Sequence, residues 1–246
     1  VRTSNTTCWS HDTFLEGHLK VCQSRQGYRF SIDAAILAFH ALPDKADARI
    51  LDLGTGCGIM PLIIAFRHPE VRITGVEIQA ELAALARKNV EENRLQSRIK
   101  IIEGDFLHLK SDDIGPPVDM VVTNPPYHRR QAGRMNPHSQ RAIARHEIAV
   151  SLDGLIKSIR RFLTTGGHAW LIYPAERLAE LIAAMQAHHL EPKYLRMIHS
   201  RVNAEAKQCL LKVVKAGRPG LIVGPPLFIY ADDGGYTADA AAMLRP

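Results

Sequence analysis

The stretch of this chain best equipped for chemistry is Asn124-Pro125-Pro126-Tyr127. It follows the apolar run Val118-Asp119-Met120-Val121-Val122, so a rigid polar tetrapeptide stands at the carboxyl end of a strand, where open α/β sheets bind ligands. Its prolines fix the backbone and remove two N–H donors. The Asn124 amide oxygen and the Pro125 carbonyl are then two acceptors able to converge on a planar NH2 group. Such a nitrogen is a poor nucleophile because its lone pair is delocalised. Accepting both of its hydrogens while its ring stacks on Tyr127 would localise that pair, which is the chemistry of an amine-alkylating site. Pro126 would line the same pocket.

A second set of residues suits a nucleoside. Ile50-Leu51-Asp52-Leu53 leads into Gly54-Thr55-Gly56-Cys57-Gly58 and then an apolar helix, so the glycines occupy the first strand-to-helix turn, where backbone approaches a ligand closely. Ile59 stands where a dinucleotide fingerprint wants Gly or Ala, which counts against a nicotinamide or flavin. Glu77, 25 residues after Asp52, closes the next strand and can accept both hydroxyls of a ribose. Gly104-Asp105-Phe106 ends the third, where Asp105 could accept from an adenine amine and Phe106 could pack on the ring. Taken singly, each has a plainer reading: Asp52 and Glu77 as surface carboxylates, Asp105 as a turn residue, and the glycines as spacers for tight packing. Their coincidence on consecutive strand ends favours the site.

The elements that would position these groups follow from hydrophobic periodicity. β-branched runs at 49–53, 71–77, 99–103, 118–123, 168–173, 194–199 and 209–215 alternate with helical patterns near 58–67, 79–93, 151–163 and 175–188. This predicts an α/β, Rossmann-like fold with a seven-stranded, mostly parallel sheet covered by helices on both faces. Apolar runs within 13–30 suggest an N-terminal hairpin, and Ser31 is placed to cap a helix whose Ile32, Ala35, Ile36 and Phe39 share a face until Pro43 stops it. The expected division is residues 1–43, a hairpin and helix packed on the main domain, and 44–246, the main domain itself. A strand-like Leu227-Phe228-Ile229-Tyr230 and the turn Asp232-Asp233-Gly234-Gly235 close the chain.

These residues in this order resemble the class I S-adenosylmethionine-dependent methyltransferases over roughly 49–174. The resemblance implies S-adenosylmethionine as cofactor, with Asp52, Gly54, Gly56 and Gly58 at its methionine end, Glu77 at the ribose, and Asp105 with Phe106 at the adenine. Asn124 to Tyr127 resemble the amino-methyltransferase branch, which acts on exocyclic base amines or on a glutamine amide. Gly27-Tyr28-Arg29-Phe30-Ser31-Ile32-Asp33-Ala34, Ala144-Arg145-His146-Glu147 and Phe228-Ile229-Tyr230 extend the likeness to the bacterial tRNA adenine-N6 methyltransferases that modify valine tRNA beside its anticodon. By that resemblance Tyr28, Phe30 and Asp33 are secondary candidates to help close the donor pocket; Tyr28 and Phe30 read equally as core residues of the hairpin, and for Phe30 that is the favoured reading.

Charge bears on the acceptor. The 246 residues carry 31 Lys and Arg against 25 Asp and Glu, a formal +6 that favours a polyanionic partner. Between His128 and His146 stand Arg129, Arg130, Arg134, Arg141 and Arg145 with no acid among them. Arginine suits bidentate phosphate contacts, so this loop beside an amine pocket points to RNA, with tRNA the acceptor that the resemblance implies. A solvated loop is the bland alternative. A second basic stretch, Lys193 to Lys215, reads more readily as sheet-surface charge. Cys8, Cys22, Cys57 and Cys209 lack metal-ligand or disulfide spacing, and the histidines of the loop lack metal-ligand company. No metal and no membrane partner are therefore expected. The absence of an apolar span or signal-peptide core suggests a cytoplasmic protein, and Val1 in place of an initiator Met suggests a trimmed start. Glutamine-amide methylation of a protein such as a peptide release factor, guanine N2 or a small amine as acceptor, a non-catalytic nucleotide- or RNA-binding module, and a nicotinamide oxidoreductase are the competing readings.

Overall fold

The computed structural model describes residues 9–24, 32–125 and 152–246. A hairpin, β1 (Trp9–Phe14) and β2 (Leu19–Ser24), precedes α1 (Ile32–His40). The chain then alternates: β3 (Arg49–Leu53), α2 (Ile59–Arg67), β4 (Arg72–Glu77), α3 (Ala80–Glu92), β5 (Ile99–Glu103), the single-turn α4 (Ser111–Ile114) and β6 (Val118–Thr123). After the undescribed stretch come α5 (Leu152–Phe162), β7 (Leu163–Pro174), α6 (Leu178–Ala187), β8 (Leu190–His199), β9 (Ala206–Lys215), the two-residue strands β10 (Ile222–Val223) and β11 (Leu227–Phe228), and α7 (Ala238–Met243).

All seven expected strands are present, and β10 and β11, both parallel to β8, widen the sheet to nine. Its order is β5-β4-β3-β6-β7-β9-β8-β10, with β9 antiparallel to both of its neighbours and the β5-to-β7 half parallel. From β3 the chain steps outward to β4 and β5, then returns to lay β6 on the other side of β3. Strand order therefore reverses between β3 and β6, and the crevice beyond their carboxyl ends is where such sheets take a ligand.

Strand parity divides the core. Ile50, Met120, Val122, Trp170 and Ile172 face a layer made of the hairpin, α1, α2, α3 and α7, while Leu51, Leu53, Val76, Val121 and Leu171 face α4, α5 and α6. Central strands buried on both faces explain the continuous apolar runs in the sequence. The hairpin contributes Leu15, Leu19, Val21 and Cys22 to the first layer.

Three sequence expectations need correction. The hairpin occupies 9–24 and turns at Leu15–His18, ahead of the expected 13–30. That turn holds Leu15 and Glu16 at φ 49° and 53°, a left-handed conformation that Leu tolerates here because its side chain is buried in the core. On α1 the buried residues are Ala34 to Ala38, whereas Phe39 is 36% exposed under the Arg67 guanidinium, 5.0 Å from its ring centre. The Leu227 run is a strand for two residues, after which Tyr230 forms a bridge with Tyr236.

Candidate functional site

Four strand ends meet at the switch point, joined by short backbone and side-chain hydrogen bonds. Gly54 and Thr55 donate N–H groups to the Val76 carbonyl at 2.9 Å, fastening the glycine turn to β4. Gly104 N–H donates to the Glu77 carbonyl at 2.8 Å, which fastens β5 to the same strand. The buried Thr123 hydroxyl donates to the Leu53 carbonyl at 2.8 Å, placing the last residue of β6 against the last of β3. Asn124 and Pro125 follow directly, half-buried and buried respectively.

Asp52 is fully buried, and neither of its carboxylate oxygens has a hydrogen-bond partner among the described residues. Burial pushes its pKa up to about 7; the neighbouring Thr55 hydroxyl pulls it down without meeting hydrogen-bond geometry, and the Glu77 charge adds to the rise. An orphaned buried carboxyl costs several kcal/mol if ionised alone, so it either keeps its proton or meets a cationic partner that favours its ionised form.

Glu77 is 5% exposed and organises the turn: one oxygen accepts from Gly56 N–H and the other from Gln79 N–H, each at 2.9 Å. A carboxylate has about four acceptor positions, so both oxygens retain capacity for ribose hydroxyls. Gly54, Gly56 and Gly58 all have positive φ, but their roles separate. Among the described residues a Cβ on Gly54 would meet nothing within 4 Å, whereas one on Gly58 would lie 3.2 Å from Ala86 Cβ of α3. The first therefore leaves room for a ligand and the last serves helix packing.

Asp105 and Phe106 are less open than their spacing suggested. One Asp105 oxygen accepts from Leu107 N–H at 2.8 Å and the other lies 2.9 Å from His108 Nδ1, so the carboxylate shapes its own turn. Phe106 is 8% exposed within the second core layer, and its carbonyl accepts from Arg161 at 2.6 Å; little of its ring remains for a base. Sequence reasoning passed over Ile78, which is 42% exposed immediately after Glu77 and presents an apolar surface beside the proposed ribose position. An isoleucine directly after a strand-ending carboxylate was the available signal. Asp33 accepts from the Gln208 side chain at 3.0 Å, tying the start of α1 to β9.

Tyr28, Phe30, Ser31, Pro126, Tyr127, Arg129, Arg130, Arg134, Arg141 and Arg145 lie outside the described residues. The second basic stretch is largely committed to the fold. Arg196 donates to the Pro225 carbonyl at 2.9 Å and pairs with Asp239, Arg201 donates to the Ala231 carbonyl at 2.7 Å, and Lys212 lies between Asp44 and the Trp170 ring. Among the described residues no group of three or more His, Cys, Asp or Glu could hold a metal, and no helix is long and apolar enough to cross a membrane.

The crevice thus offers a buried unpaired carboxyl, an open glycine turn, a second carboxylate with spare acceptor positions and an apolar ledge. That set fits a ligand with a positive charge, a ribose and a flat ring, which are the parts of S-adenosylmethionine. Comparison with known proteins points the same way. Residues 29–188 match the family described as Methyltransferase small domain. A Porphyromonas gingivalis protein named tRNA1(Val) (adenine(37)-N6)-methyltransferase is 30% identical over 204 residues, covering 81% of this chain and 79% of its own. One of the same name from Pedobacter heparinus is 28% identical over 236 residues, 95% of this chain and 97% of its own. Among solved structures, a predicted O-methyltransferase from Agrobacterium tumefaciens superposes with a TM-score of 0.68 at 26% identity, over 86% of this chain and 94% of that one. A geranyl diphosphate methyltransferase solved with S-adenosylmethionine shares the fold at a TM-score of 0.53 and 14% identity, over 74% of this chain and 84% of that one.

Proposed function

We propose that this chain, which belongs to the methyltransferase small-domain family, methylates the exocyclic N6 amine of an adenine in tRNA, next to the anticodon. It is an S-adenosylmethionine-dependent methyltransferase. The observation that carries the finer reading is the position of Asn124-Pro125: two acceptors directly after β6, one hydrogen bond from the glycine turn's own strand through Thr123 and Leu53. Relatives whose names specify adenine 37 of a valine tRNA support the choice of acceptor.

When bound, S-adenosylmethionine supplies an electrophilic methyl group on a positively charged sulfur. Asp52 and the Gly54 turn would hold its methionine end and Glu77 its ribose, with Ile78 and the Asp105 turn flanking the base. On the acceptor side, the Asn124 amide oxygen and the Pro125 carbonyl take one hydrogen each from the adenine amine. That restores lone-pair density on N6 and orients it, so the residues act by positioning and electrostatics. Tyr127 stacks on the adenine and offsets the few kcal/mol spent in swinging it out of the anticodon loop. The nitrogen becomes acidic on alkylation, and one proton leaves it for water from the hydrogen bond to Asn124 or Pro125. No prior deprotonation is needed. Arginines of 129–145 grip the phosphates, and an acceptor of this kind places the enzyme in the cytoplasm.

Incubating the protein with labelled methyl donor and, separately, total RNA or total protein of the source cell tests this. Label in N6-methyladenosine from the tRNA fraction is expected. Label in N-methylglutamine from the protein fraction, with none in RNA, would overturn the choice of acceptor and leave the amine chemistry standing.

A further inference from the structure

A cleft of about 480 Å³ opens at the opposite ends of the strands that build the crevice. Arg49, Arg72, Thr74, Ser97, Arg98 and Lys100 line it, and none of its lining residues is acidic. Arg49 and Arg72 are direct register partners on β3 and β4, as are Thr74 and Lys100 on β4 and β5. Partners in register face the same side of a sheet, so strand parity puts Arg49, Arg72, Thr74 and Lys100 on the face of Leu51 and Val76. A doubly covered α/β sheet should carry apolar residues there. The 104–117 crossover supplies only the single turn Ser111–Ile114, so among the described residues no longer helix covers this corner.

The cations in the cleft are not compensated. Two arginines directly opposite on neighbouring strands repel, and among the described residues Arg49, Arg72 and Lys100 have no ion-pair partner. Asp119, the adjacent carboxylate on β6, is engaged elsewhere, accepting from Arg49 N–H at 2.8 Å and pairing with Lys45 at 3.0 Å. Arg98 is anchored through the Ala65 carbonyl at 2.7 Å. The three strands are thus polarised, with Asp52, Glu77, Glu103 and Asp105 at or beyond their carboxyl ends and Arg49, Arg72, Arg98 and Lys100 at or before their amino ends. A cationic ligand belongs at the first end and an anionic one at the second.

We propose that this cleft is a phosphate-binding site that takes a polyphosphate or phosphodiester segment on Arg49, Arg72 and Lys100. At about 3.3 Å per residue, Arg72 and Glu77 stand roughly 17 Å apart along β4, so this site is separate from the methyl-transfer crevice. Its ligand is either the backbone of the RNA acceptor, which rests on the function proposed above, or a free nucleoside polyphosphate. Arginine pairs match phosphate oxygens bidentately, which suits two guanidinium groups in register on neighbouring strands.

Calorimetric titration of the full chain with inorganic tripolyphosphate at low salt tests the site. Saturable binding to the wild type is expected, weakened at least tenfold in Arg49→Gln/Arg72→Gln with S-adenosylmethionine affinity unchanged. Lys100→Gln, on an exposed side chain, repeats the test without touching β3, and a smaller loss is expected. Source is decided by tRNA binding across a salt series: a slope reduced by about 1–2 in the double variant identifies RNA backbone, and an unaltered slope identifies a free polyphosphate. Absence of tripolyphosphate binding to the wild type, or equal binding to the variants, overturns the proposal. This arm requires no methyl transfer, so its failure is distinct from failure of the tRNA reading.

Discussion

Asp52 makes the sharpest single-residue prediction. Its folded-state pKa, about 7, lies above the ordinary carboxylate value near 4. The folded protein therefore holds a proton there that the unfolded chain has released. Its contribution to stability is complete below about pH 4 and is lost as pH rises through about 7. A cationic donor reverses the preference by favouring the ionised form. Donor affinity should rise with pH up to about 7, with close to one proton released on binding at pH 6. Calorimetry in buffers of different ionisation heat measures that count, and Asp52→Asn should abolish it while weakening the donor at least tenfold. A proton count unaltered by the substitution would remove Asp52 from the donor site. Asn124 predicts the complementary pattern: Asn124→Ala should lower turnover by roughly 100-fold or more while leaving donor affinity nearly intact. Loss of donor affinity instead would reassign Asn124 to the cofactor.

The elements are held in place by contacts that no periodicity reveals, and the hairpin is the case in point. Asn89 in α3 and Asn93 at its C-cap, one turn apart, address Cys22 and Lys20, two residues apart on β2. Asn89 Oδ1 accepts from Cys22 N–H at 2.7 Å and its amide donates to the Cys22 carbonyl at 3.0 Å; Asn93 does the same for Lys20 at 2.9 and 2.7 Å. Four helical residues rise about 6 Å and two strand residues about 6.6 Å, so the two side-chain amides stand in for a neighbouring strand along the edge of β2. Asn89 also donates to the Cys57 carbonyl at 2.8 Å, which links the hairpin to the glycine turn. Asn89→Ala should cost on the order of 3 kcal/mol, because it strands buried backbone groups, and should weaken donor binding as well. The partly exposed Asn93→Ala should cost about 1 kcal/mol. Urea unfolding of both variants checks this, and equal losses would contradict the assignment of the buried linkage to Asn89. Legibility in the sequence divides along the same line. β3 to β9 and α2, α3, α5 and α6 could be read because each buries a regular face. The hairpin's true position was obscured because Leu15 and Glu16 carry no turn signature, leaving Gly17, at φ 89°, as the one glycine in the turn, and the amide ladder was hidden because its partners lie 67 and 73 residues apart. At the site, Asp52 and Glu77 could be read from strand-end spacing. The burial of Phe106 could not, since it depends on packing against α5, whereas the turn role of Asp105 is local, held by Leu107 and His108, and was the plainer of its two readings.

At the scale of the whole molecule, what counts is which of its cations are available to an acceptor. A net charge of +6 says little while Arg196, Arg201, Lys193 and Lys215 are spent on backbone carbonyls. These side chains shape the β8–β9 edge and the tail, so removing them should lower stability more than RNA affinity. The arginines at 129, 130, 134 and 141 follow directly on Asn124 to Tyr127 in the sequence, so under the proposed function they are the candidates to meet the acceptor's phosphates. Each phosphate neutralised on a single strand contributes about 0.7 to the slope of log affinity against log salt. Arg129→Ala/Arg130→Ala should therefore weaken tRNA binding and flatten that slope by about 1.4, whereas Arg201→Ala, tied to the Ala231 carbonyl, should leave the slope unchanged while lowering the unfolding midpoint. Filter binding over a salt series, run beside urea unfolding, separates the two classes. An unchanged slope in the first variant would make 128–146 a solvated loop and move the search for the RNA contact to another surface. A flattened slope in Arg201→Ala would mean that the β8–β9 edge, and not the segment after the tetrapeptide, carries the acceptor.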